Sequence, residues 1–109
     1  MLLKDNWRVQ VREFQELIER IYLAKDTTRG VDGTFRWFVE EVGELARAIR
    51  HKQRDELAGE FADVYAWLVS LASQSGVDLE TAATEKYALG CPKCGRTPCA
   101  CQETSPANV

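Results

Sequence analysis

Apolar residues recur at steps of three and four along most of this chain, and the breaks in that rhythm mark its elements. Trp7, Val11, Phe14, Ile18 and Ile21 make one stripe, which predicts an amphipathic helix from about Asn6 to Ala24. A polar stretch with Gly30 and Gly33 interrupts the period. It restarts with Phe35, Phe38, Val42, Leu45 and Ile49, and Asp32 or Thr34 is placed to cap this second helix. The run from His51 to Asp55 is short and polar, so it reads as a turn that makes its flanking helices antiparallel neighbours. Leu57, Phe61, Val64, Leu68 and Leu71 define a third helix that stops at Ser75 and Gly76, with glycine as its C-terminal residue. Asp78 and Leu79 open a short fourth helix, rich in Ala82, Ala83 and Ala88, that fades at Gly90. No strand pattern interrupts the series. The expected fold is all-α: a four-helix bundle over residues 1–89, then a cysteine-rich tail over residues 90–109.

Length and charge narrow the partners. At 109 residues the chain makes one domain, small enough that burying further helix surface against a second copy would stabilise it, so an oligomer is expected. The net charge of −3 leaves no basic footprint for a nucleic-acid backbone, and no apolar run approaches the roughly 18 residues that span a bilayer. Met1 to Lys4 is too short and too soon polar for a signal peptide, and no sorting motif follows. The expected setting is the cytoplasm, with a small molecule as partner.

Carboxylates placed three apart in two pairs carry the chemistry: Glu41 and Glu44 on the second helix, Glu60 and Asp63 on the third. Residues three apart share a helical face, so two facing helices can present four oxygens to one ion. Each pair falls on a shoulder of its apolar stripe and therefore borders the core. Ordinary solvated charges also occupy such shoulders. Neither pair includes a Lys or Arg, however, and clustered like charges repel unless a cation binds between them. Oxygen ligands without His or Cys favour Mg2+, then Mn2+. Gly43 and Gly59 precede Glu44 and Glu60 inside helices, where each costs about 1 kcal/mol relative to Ala. Either a ligand or a tightly packed helix is expected to come close to them.

The run Phe38-Val39-Glu40-Glu41-Val42-Gly43-Glu44-Leu45-Ala46, followed by Glu60-Phe61-Ala62-Asp63-Val64, resembles the EExxE and ExxD signature of the MazG-like nucleotide pyrophosphohydrolases, in the all-α NTP pyrophosphatase group. The likeness extends from about the first helix through the fourth. It implies Mg2+-dependent hydrolysis of a nucleoside triphosphate, ribo or deoxy, to the monophosphate and pyrophosphate, in a homodimer or homotetramer. It implies metal ligands at Glu41, Glu44, Glu60 and Asp63, with Glu40 in a lesser part, positioning water or lying on a solvated face. Water would attack the α-phosphorus, and the proton would pass to Glu40 or to a ligand that swings. Lys86 resembles the family's lysine on its last helix and is the first choice for the phosphates. Arg47, Arg50, Lys52 and Arg54 are further cations, most of them expected simply to solvate the turn. Trp37 and Trp67, each one turn from an acid, are candidates to face the base, although an aromatic at that spacing is more often core or oligomer interface. Trp7, Phe35 and Phe38 are expected in the core, and His51 on the surface.

The tail departs from that family, whose members commonly continue with a polar, Asn- and Arg-containing segment that reaches the nucleotide. Here Cys91-Pro92-Lys93-Cys94-Gly95 leads to Cys99-Ala100-Cys101, so all four cysteines fall within eleven residues. Cys-Pro-x-Cys-Gly has the shape of a zinc knuckle. In a reducing cytoplasm a structural Zn2+ is the first reading, an iron–sulfur or redox centre the second and an unmetallated tail the third. Gln102 to Val109 are expected to be disordered. The competing function is a non-catalytic helical adaptor whose acids are remnants and whose cysteine tail binds a protein.

Overall fold

A computed structural model describes residues 9–51 and 54–102. Trp7 and the expected helix start at Asn6, the cation candidate Lys52, and the tail beyond Gln102 lie outside the described residues. Among the described residues every regular element is helical: α1 Val11–His51, α2 Arg54–Gln74 and α3 Leu79–Tyr87. The expected first and second helices are both present as two arms of α1 that meet end to end, because the polar stretch expected between them is helical apart from one residue. What divides α1 is a single residue, Gly30, at φ 75° and ψ 174°. Only glycine enters that region at little cost, so the chain turns there and resumes its helix at once. The break falls at Gly30, so Asp32 and Thr34 are corrected from caps to first-turn residues of the second arm, and Thr34 is 0 % exposed.

The second arm of α1, residues 31–51, runs antiparallel to α2. Trp37 stacks on Trp67 with centroids 5.9 Å apart, while Glu41, further along α1, meets Glu60 and Asp63, earlier on α2. The first arm reaches the end of α2. Phe14 stacks on Tyr65 at 4.3 Å, and the buried Gln15 donates to Ser73 Oγ and to the Val77 carbonyl while accepting from the Leu79 amide. Such a fully used buried amide holds the close of α2 against α1. α2 ends in a Schellman arrangement, with the Val77 amide on the Ala72 carbonyl, the Gly76 amide on Ser73 and Gly76 at φ 73°.

Among the described residues the buried apolar core is small: Ile18, Ala48, Val69 and Ala72. Several positions that the periodicity assigns to the core are instead exposed, among them Ile21, Phe35 (53 %), Val42, Ile49, Phe61 (55 %) and Leu68. Their stripes are real, but a single chain supplies no layer to cover them. A Cβ added at Gly43 or Gly59 would meet nothing within 4 Å, so within one chain neither a ligand-bearing wall nor a packed helix crowds those glycines. The chain divides into two compact units, Met1–Leu79 and Glu80–Val109. The first holds α1, α2 and the acids; the second holds nearly all of α3 and the cysteines.

Candidate functional site

The antiparallel register sets the acids face to face. Glu41 on α1 and Glu60 and Asp63 on α2 each offer a carboxylate oxygen, and these oxygens lie within 4.8 Å of one another. Glu44 stands outside that group, its Oε1 3.7 Å from Arg47 one turn on. The pair therefore has a cation beside it, contrary to the expectation of an unneutralised shoulder. Glu44 still acts on its neighbours. The Glu41 carboxyl is raised above its ordinary value by burial first and then by Asp63, Glu60, Glu44 and Glu40. Glu60 is raised likewise, by burial and then by Asp63, Glu44 and Glu56. Glu40 is exposed and touches the balance only through Glu41.

One atom makes the conflict specific. Glu60 Oε2 is closed off from solvent and accepts no hydrogen bond, which is costly for a carboxylate oxygen unless it is protonated or bound to a cation. Three converging carboxylates with an orphaned oxygen suit a hard divalent ion, because the donors are all oxygen and leave positions for water and phosphate.

Beside Asp63 opens a cavity of about 270 Å³ lined by Tyr22, Lys25, Asp26, Arg29, Asp63 and Trp67, among others. Its cations come from the end of the first arm of α1, a stretch that periodicity alone leaves as a polar linker. Arg29 binds the buried Asp26 at 2.8 Å and lies 4.8 Å over the ring of Trp67, a cation–π contact that holds its planar head at the cavity wall. Gln74 donates to the Asp26 carbonyl at 2.7 Å and ties this wall to α2. Trp67 thus lines the cavity, whereas Trp37 stacks behind it. Sequence reasoning missed Lys25 and Arg29 because their signal is tertiary: only the continuation of α1 to Gly30 carries them past Trp67.

Of the remaining candidates in the first unit, none joins this group. Arg54 lines a different cavity with Leu57, Ala58 and Phe61, away from the face that bears Glu60 and Asp63. Arg50 and His51 are exposed at the end of α1. Lys86 belongs to the second unit, where its Nζ lies 5.7 Å from the Tyr87 ring.

A family model for the MazG nucleotide pyrophosphohydrolase domain matches residues 29–95. The chain belongs to the MazG family. The MazG match takes in the five candidate acids, Arg29, Trp37, Trp67 and Lys86, and it begins at the kink of α1, later than the first-helix start that the motif resemblance implied. It ends between the second and third cysteines. No curated protein matches the chain. Membership carries nucleotide pyrophosphohydrolase chemistry with it. Among the described residues no helix is long and apolar enough to cross a membrane.

The cysteines form a second group, with thiols of unequal character. The backbone amides of Cys94 and Lys93 lower Cys91 to about 6, whereas hydrogen bonding with Cys99 and Cys91 pushes Cys101 up to about 12.

Proposed function

We propose that the protein is a Mg2+-dependent pyrophosphohydrolase that converts a nucleoside triphosphate and water to the monophosphate and pyrophosphate. The observation that carries this reading is the convergence of Glu41, Glu60 and Asp63, with Glu60 Oε2 unsatisfied, on the edge of a cavity that bears Lys25 and Arg29. Glu41, Glu60 and Asp63 would hold the ion, and Glu44 would join them by exchanging Arg47 for it. The bound ion would neutralise phosphate oxygens and the charge that develops on the leaving pyrophosphate. Lys25 and Arg29 line the same cavity as Asp63 and would meet those phosphates, with Arg29 already oriented by Asp26 and Trp67. Glu40, exposed beside Glu41, receives the proton of the water that attacks the α-phosphorus; the bond to the bridging oxygen breaks and pyrophosphate departs. Trp67, which lines the cavity with Arg29 over its ring, is the aromatic that the base would meet beside the phosphates.

The test is a screen of ribo- and deoxynucleoside triphosphates with Mg2+, identifying the phosphorus product. Pyrophosphate from at least one substrate, abolished by chelation, is the expected result. Orthophosphate as first product, or full turnover in excess chelator, overturns the assignment. Inertness toward every triphosphate would favour the adaptor.

A further inference from the structure

We infer that Cys91, Cys94, Cys99 and Cys101 form a tetrathiolate site for one structural Zn2+ that organises the second unit, independent of the acidic site. The four sulfurs lie within 4.8 Å of one another. Cys91 is 3.8 Å from Cys101 and 3.6 Å from Cys99. A tetrahedral ion with zinc–sulfur bonds of about 2.3 Å has sulfurs about 3.8 Å apart along each edge, so the thiols already stand near the corners that such an ion needs. All four are free rather than paired as disulfides. A multi-iron cluster would require them to spread, since different pairs would serve different irons. One soft divalent ion fits a group this tight.

The backbone around the sulfurs is built for thiolates. The Ala100 amide donates to Cys94 Sγ and the Cys101 amide to Cys99 Sγ, both at 3.3 Å, the kind of support that surrounds metal-bound sulfur. The Gly95 amide reaches back to the Cys91 carbonyl at 2.6 Å, and the Cys91 amide to the Arg96 carbonyl at 3.1 Å. These bonds close the first knuckle. Gly90 is held at φ 101°, where a Cβ would lie 2.6 Å from Thr97 Oγ1 and 3.0 Å from the Arg96 backbone. The chain therefore folds back over a position that only glycine fits.

Burial supplies the independent argument. α3 has no buried residue, and from Thr81 to Gln102 every residue is exposed or at most half-buried. A segment this small with no apolar interior does not hold four thiols together through the hydrophobic effect. A metal supplies that folding energy, and its binding releases the thiol protons.

The experiment uses the full chain purified under reducing conditions. Elemental analysis is expected to find about one zinc per chain, and protein stripped of metal and titrated with Co2+ is expected to saturate at one equivalent with the absorption of a tetrahedral thiolate site. Cys99→Ser with Cys101→Ser should lose the zinc while keeping the helical signal of α1 and α2. Glu41→Gln should keep its zinc, which separates this site from the fate of the pyrophosphohydrolase reading. Iron in place of zinc, disulfides in the reduced preparation, or no metal with four freely reactive thiols would each overturn the inference.

Discussion

Glu60 carries a closed-off, unbonded oxygen next to two other carboxylates, so without a cation this part of the fold is held against its own repulsion. Amide replacement separates function from folding. Glu41→Gln or Asp63→Asn is expected to lower metal-dependent turnover by about 100-fold or more, the upper end of what disturbing a metal environment costs. The metal-free stability should hold or rise, because a repelling charge has gone. The same repulsion sets a pH dependence. Glu41 and Glu60 are raised above 4.5 in the fold, so the native state binds protons that the unfolded chain has released. Stability in chelator should therefore fall as pH climbs from about 4.5 through the raised values, and Mg2+ should abolish the decline. Thermal melts against pH, with and without metal, measure this; a metal-free stability that rises over that window would refute the crowding of these acids. The acids were legible from their spacing alone, but the separate position of Glu44 beside Arg47 was not, because rotamers rather than spacing decide which of two oxygens turns inward.

At the scale of the element, α1 shows how much one residue governs. The arms at 11–29 and 31–51 have their own apolar periods, and both are readable in the sequence. That they meet end to end was not, since Gly30 and Gly33 together look like a loop. Gly33 is instead accommodated within the helix, and Gly30 alone makes the turn at φ 75°. Gly30→Ala is expected to cost about 1–3 kcal/mol, the strain of placing a side chain in that region. Denaturant unfolding should show it, and it should also weaken substrate binding, because the kink carries Lys25 and Arg29 to the cavity. An unchanged unfolding midpoint would mean that the backbone at residue 30 tolerates an L side chain.

The first unit taken as a whole is short of interior. Phe35, Val39, Val42, Ala46 and Ile49 form an exposed stripe at alternating steps of four and three on α1, the spacing that packs one helix on another. Phe61 and Leu68 expose a second stripe on α2. So much uncovered apolar surface on a chain of this size is the mark of an interface, and a homodimer or homotetramer is the expected solution state. Light scattering during size exclusion should report it. Phe35→Ser with Val42→Ser is expected to shift it to monomer with a marked loss of stability, since those residues would then lose a partner that they bury against. A wild-type monomer at micromolar concentration would leave the stripes without that explanation.

By itself the sequence determined that the chain is helical, where the helix periods lie, that α1 and α2 turn back on each other at His51, and that the acids and thiols form separate groups. These follow from local rules, because a period of 3.6 residues and a spacing of three are properties of one helix. Only the tertiary structure decided that three acids converge and a fourth stands aside, that Lys25 and Arg29 share a cavity with Asp63, and that the apolar stripes stay uncovered within one chain. The first and last depend on the register between the second arm of α1 and α2, and the placing of Lys25 and Arg29 also on the angle at Gly30. Such relations arise from packing between segments far apart in the chain, and no local period encodes them.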